Sequence, residues 1–95
     1  MGMKEAYQDK LQAQLDKWGT EIDKLKAKAD KAEADVKIDY YKAIEEMRSM
    51  QQVAEQKLNE LKESGEDAWE DLKEGTESAW NSLGKALKSA ISRYN

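Results

Sequence analysis

Met47 and Met50 stand three residues apart, a spacing at which two thioethers on one helical face suit a soft metal such as Cu(I). Paired carboxylates recur as well: Asp35 with Asp39, Glu66 with Glu70, and Glu45 beside Glu46. A cation site also needs the tight loop and carbonyl oxygens that hold the ion, and none surrounds these pairs, which read as solvated helix faces. The two methionines fall in apolar columns, where a flexible thioether fills gaps in a core. The chain has no Cys and no His, which excludes disulfides, thiolate nucleophiles, ordinary zinc sites and imidazole acid–base chemistry. No Ser has a His to activate it, and there is no Gly-rich phosphate loop. The sequence predicts no enzyme, no metal and no cofactor.

Trp18, Trp69 and Trp80 allow two readings, since an indole suits both an apolar core and a membrane interface. The segment 78–94 carries Lys85, Lys88 and Arg93 with no acid, as a helix lying on an anionic lipid surface would. Three bases are few for that purpose, so core packing is the expectation and lipid contact the alternative. A net charge of −4 with both signs interspersed argues against a nucleic-acid footprint.

The elements that carry these residues follow from composition and period. Ala, Glu, Lys, Leu and Arg make up 48 of the 95 residues, and Pro is absent, a composition typical of long helices and coiled coils. From Leu11 the apolar positions are Leu11, Leu15, Trp18, Ile22, Leu25, Ala29, Ala32 and Val36, alternating steps of four and three. That is a heptad seam with β-branched Ile22 and Val36 at a, which favours two strands. Glu21 and Lys28 would face the Lys26 and Glu33 of a parallel partner, so the flanking charges agree with pairing.

After Val36 the pattern steps to Tyr40 and the interval becomes eleven. Met47, Leu58, Trp69, Trp80 and Ile91 form one column; Met50, Leu61, Leu72, Leu83 and Tyr94 a second; Ala43, Ala54, Gly65, Thr76 and Leu87 a third. Eleven residues make nearly three turns, so such columns run almost straight along one face. Between Lys4 and Glu63 the lone Gly19 is too weak a breaker to end a packed helix, and residues 4–63 are expected to form one helix. Glu63-Ser64-Gly65-Glu66-Asp67 is the expected break, with Ser64 and Asp67 laid out as a capping box. Six acids in 64–77 and three bases in 78–95 match the dipole of a separate second helix.

The expected architecture is all-α: an elongated coiled coil in which the long helix 4–63 is followed by a shorter amphipathic helix, 64–95, folding back as a hairpin. The stretch 1–3 reads as a tag remnant and a disordered start. A returning helix of about 45 Å cannot cover one of about 90 Å, so a second copy, most simply in a dimer, is expected along the seam Leu11, Leu15, Trp18, Ile22, Leu25, Ala29, Ala32, Val36, Met47, Met50, Leu58 and Leu61. Trp69, Leu72, Trp80, Leu83, Leu87 and Ile91 are expected to form the packing face of the second helix. The rival is a three-helix bundle with a turn near 30–35, where Asp30-Lys31-Ala32-Glu33-Ala34-Asp35 offers neither Gly nor Pro.

The blocks Lys24-Leu25-Lys26-Ala27-Lys28-Ala29-Asp30-Lys31-Ala32-Glu33-Ala34-Asp35 and 61–80, LKESGEDAWEDLKEGTESAW, resemble those of a family of small bacterial coiled-coil proteins with no assigned activity. The resemblance covers most of the chain from Met3 and rests mainly on Ala-Trp-Glu-Asp-Leu-Lys. It implies a helical fold and brings no catalytic residues. Eleven-residue amphipathic repeats are also similar to those of late-embryogenesis-abundant proteins and exchangeable apolipoproteins, from which this chain departs in its Trp residues and its regular heptad. The function expected is a non-catalytic structural or scaffolding role through homo-oligomerisation. The alternatives are reversible lipid binding and a stress-protection role. No apolar run is long enough to span a bilayer and no signal segment is evident, so the expected location is the cytoplasm.

Overall fold

Three helices and two short connections form the chain in the computed structural model, which describes residues 2–94: α1 (Met3–Asp30), α2 (Ala34–Glu63) and α3 (Trp69–Tyr94). They pack as an up-down-up bundle measuring 51 × 19 × 18 Å, about the length of one 30-residue helix with its ends. The α2–α3 and α1–α2 pairs are closely apposed, whereas α1 and α3 meet less extensively.

The helical class and the break after Glu63 agree with the sequence. The uninterrupted helix over 4–63 does not: α1 ends at Asp30 and the chain reverses through Lys31, Ala32 and Glu33. No described residue has a positive φ, so the reversal needs neither Gly nor Pro. The last turn of α1 tightens as the N–H groups of Lys31 and Ala32 donate to the carbonyls of Lys28 (3.2 Å) and Ala29 (3.1 Å). The Glu33 carbonyl then opens α2 by accepting from Val36 (3.0 Å) and Lys37 (2.8 Å). Lys28 lies in the last turn of α1 and Asp35 in the first of α2, each suited to its helix dipole. Across the turn the Tyr41 hydroxyl donates to the Asp30 carboxylate.

Energetics favour this turn. Leu11, Leu15, Ile22 and Leu25 are buried at 0–4 % exposure, a gain of roughly 1.5–3 kcal/mol each over leaving them wet. Giving up two or three helical hydrogen bonds, net about 0.5–1.5 kcal/mol each, costs less.

The second connection also departs from expectation in detail. Ser64 does not cap α3; its hydroxyl donates back to the Leu61 carbonyl (2.6 Å) and closes the end of α2. Gly65 starts the next turn instead, its carbonyl accepting from Ala68 (3.1 Å) and Trp69 (3.3 Å). Of the start expected at 1–3, Met1 lies outside the described residues, Gly2 is the N-cap of α1 and Met3 is already helical. Asn95, the last residue of the expected second helix, also lies outside them.

Candidate functional site

The residues expected to meet a second chain meet each other. Leu11, Leu15, Ile22, Leu25 and Ala29 from α1 and Met47 and Leu58 from α2 are buried in one core with Trp80, Leu83 and Leu87 of α3. Trp18, Ala32 and Met50 pack half-buried against it, and Leu61 is fully buried. The assignment of these positions to an intermolecular seam is therefore corrected: they are the bundle interior. Val36, the last of the series, is 45 % exposed, because the turn at 31–33 resets the helical phase before it. On the expected packing face of α3, Trp69, Trp80, Leu83 and Leu87 are buried, and Leu72 and Ile91 half-buried.

Ile44 is a buried core residue that the sequence reading left out. Its signal is a second heptad: the buried positions of α2 are Tyr40, Ile44, Met47, Ala54, Leu58 and Leu61, steps of four, three, seven, four and three. In α3 they are Trp69, Thr76, Trp80, Leu83, Leu87 and Ala90, again sevens divided into four and three. Thr76, the one polar residue fully buried among those described, donates its hydroxyl to the Leu72 carbonyl (2.9 Å) one turn back.

Two aromatic clusters tie the helix ends together. Tyr7 of α1 lies on Trp69 of α3, ring centroids 5.8 Å apart, with the Lys73 ammonium 5.2 Å from the Tyr7 ring. The Tyr7 hydroxyl donates to the Glu77 carboxylate (3.1 Å). Burial, and then the hydrogen bond and negative charge of Glu77, push the Tyr7 phenol up to about 12. At the other end Tyr40 stacks on Tyr94, centroids 4.0 Å apart, and its hydroxyl reaches the Tyr94 carbonyl at 3.4 Å. Burial and then Tyr94 raise the Tyr40 phenol above its ordinary value.

None of the pairs with chemical potential is gathered into a centre. Met47 is buried while Met50 sits at the rim of the core, and Asp35, Asp39, Glu45, Glu46, Glu66 and Glu70 are all exposed. Among the described residues no group of three or more acidic side chains is placed to hold a metal ion, and no helix is long and apolar enough to cross a membrane. The surface features are open grooves. Along α1 and α3 a groove is lined by Trp18 and Trp80 together with Gln14, Asn81, Gly84, Lys85 and Lys88. Between α2 and α3 a groove of about 340 Å³ is lined only by uncharged residues, Ser49, Met50, Val53, Ala79 and Ser82, and Val53 is 47 % exposed there. No known family, curated protein or solved structure matches the chain.

Proposed function

We propose that the chain is a non-catalytic structural module, a self-contained helical bundle that acts through its surface rather than through a reaction. The observation that carries this reading is that the apolar stripes of all three helices close on one another, leaving charged faces and shallow grooves outside. Assembly with further copies belongs to this reading, but through an outer face, since the Leu11–Ala29 seam is occupied within the chain.

Circular dichroism and Trp fluorescence at micromolar concentration test the proposal. Strong helicity, one cooperative melt and unchanged fluorescence with anionic vesicles are expected. Weak helicity in dilute buffer would instead favour the stress-protection reading, in which the chain stays disordered until bound or dried. A blue shift on vesicles would favour lipid binding, which here requires α3 to leave the bundle because Trp80, Leu83, Leu87 and Ala90 are buried.

A further inference from the structure

We propose that two copies of the chain pair across the α2–α3 groove, antiparallel, with a two-fold axis perpendicular to the helices at the level of Ser82 and of the Met50–Val53 turn. This rests on the structural-module reading and names its partner. The groove lies at the middle of both helices and is uncharged, with Val53 projecting from it. On α3 the charges on either side of it differ in sign: the acids Glu70, Asp71, Glu74 and Glu77 precede Ser82, with Lys73 the one base among them, while Lys85, Lys88 and Arg93 follow it.

Register sets which charges meet. Asp71, Ser82 and Arg93 are eleven residues apart, almost three turns, so they share one face with Asp71 and Arg93 about 16 Å to either side of the groove. The proposed axis stacks α3 on the partner's α3 and brings Asp71 opposite the partner's Arg93, twice by symmetry. On α2, Glu46 and Lys57 flank the Met50–Val53 turn at equal distances, and the same axis sets Glu46 opposite the partner's Lys57. A two-fold along the helices would instead lay α3 on the partner's α2, with Asp71 toward the partner's Lys57 and Arg93 toward the partner's Glu46, so only the perpendicular axis makes Asp71 and Arg93 partners of each other.

The four side chains are available. Among the described residues Asp71, Glu46 and Arg93 form no ion pair, Arg93 lying 5.3 Å from the Tyr94 ring, and Lys57 makes only a long 3.9 Å contact to Glu60. A side of 51 × 19 Å projects about 970 Å², enough for the roughly 800 Å² per partner of a standard interface.

Sedimentation velocity of the full chain from about 5 to 500 μM, a range chosen for a small polar-rimmed interface, tests the pairing in wild type, Val53→Glu, Asp71→Lys, Arg93→Asp and the double Asp71→Lys/Arg93→Asp. Wild type is expected to dimerise within that range, Val53→Glu to be monomeric, each single reversal to weaken association roughly tenfold or more, and the double variant to regain it. A wild type monomeric throughout, or a double variant no stronger than the singles, overturns the pairing. Helicity is checked for each variant, with Val53→Ser and Asp71→Asn as milder substitutes should one unfold. A monomer that still melts cooperatively removes the dimer and leaves the module reading standing; weak helicity of the wild type removes the module reading itself.

Discussion

Gly84 of α3 lies against the indole of Trp18 of α1: a β-carbon at position 84 would stand 3.2 Å from Trp18 Cζ2 and 3.3 Å from Cη2. These are closer than an ordinary van der Waals contact, so the missing side chain sets how near the two helices come. Gly75, nine residues earlier in the same helix, would meet nothing within 4 Å. Mid-helix Gly costs about 0.5–1 kcal/mol relative to Ala. Gly75→Ala is accordingly expected to stabilise the bundle by about that amount. At Gly84 the same propensity gain is offset by overpacking against Trp18, typically about 1–3 kcal/mol, and Gly84→Ala is expected to be destabilising. Urea denaturation of the two variants decides it; equal stabilisation by both would show that the indole yields freely.

The burial of Tyr7, together with its hydrogen bond to Glu77, predicts an alkaline loss of stability. The folded state holds the Tyr7 proton to about pH 12, whereas in the unfolded chain it is released near 10. Below pH 10 both states are protonated and the contribution is whole. Above it the unfolded state gains by ionising, and the contribution falls away up to about pH 12. Tyr40 and Tyr41, also raised, act in the same direction. The charged groups around Tyr7 are Glu77, Lys73 and Lys10. The slope of unfolding free energy between pH 9.5 and 11.5, a window placed about the ordinary Tyr value, is expected to be shallower in Tyr7→Phe than in wild type. Identical slopes would mean that Tyr7 ionises as freely folded as unfolded.

Lys4 predicts a capping effect at a distance in sequence. Its ammonium sits at the first turn of α1 but donates to the carbonyls of Lys62 (3.3 Å) and Ser64, at the end of α2. A cation there satisfies carbonyls that a helix C-terminus leaves free and complements its dipole. Lys4→Met keeps most of the apolar stem and is expected to cost about 0.5–1 kcal/mol. Amide hydrogen exchange should accelerate chiefly at the last turn of α2. Faster exchange spread evenly over the bundle would indicate that Lys4 acts on packing and not on that helix end.

What the residues reveal and conceal follows one rule. A period is local and legible; the place where it shifts phase is subtler. Leu11, Leu15, Ile22, Leu25 and Ala29 were readable as one buried stripe because steps of three and four return to the same helix face. Continued past Val36, that stripe would run through Asp39 and Ala43, yet the buried residues of α2 are Tyr40 and Ile44. One residue of slip is about 100° on a helix, more than a single straight helix can absorb while facing one core. The turn at 31–33 takes up the slip, and the lysines before it and acids after it agree with two helix ends. Looking for Gly or Pro missed this, since an ordinary backbone suffices. The long-range columns linking Trp69 and Trp80 to Met47 and Leu58 did identify buried positions. Whether another copy or the same chain covered them could not be read from period, which is identical in the two cases. The groove at Met50, Val53, Ala79 and Ser82 was equally hidden, because it exists only once α2 and α3 lie side by side.

The turn itself provides the sharpest distinction between a bundle and a rod. Lengthening a flexible connection costs little, about 0.6 kcal/mol for each doubling of loop length. Four Gly/Ser residues inserted between Lys31 and Ala32 should therefore leave a three-helix bundle folded, with a slightly lower melting temperature, since α1 and α2 each keep their buried face. The Asp30–Tyr41 hydrogen bond across the turn is the contact at most risk, and exposed contacts of this kind contribute modestly. In an unbroken helix over 4–63 the same insertion would interrupt the seam at its centre and throw the residues after it out of phase. Small-angle scattering gives the readout: a maximum dimension that stays near the bundle's 51 Å before and after insertion, against roughly 90 Å for a 60-residue helix. A wild-type particle of the larger dimension, collapsing or losing helicity on insertion, would sink the reversal at 31–33 and with it the closed core.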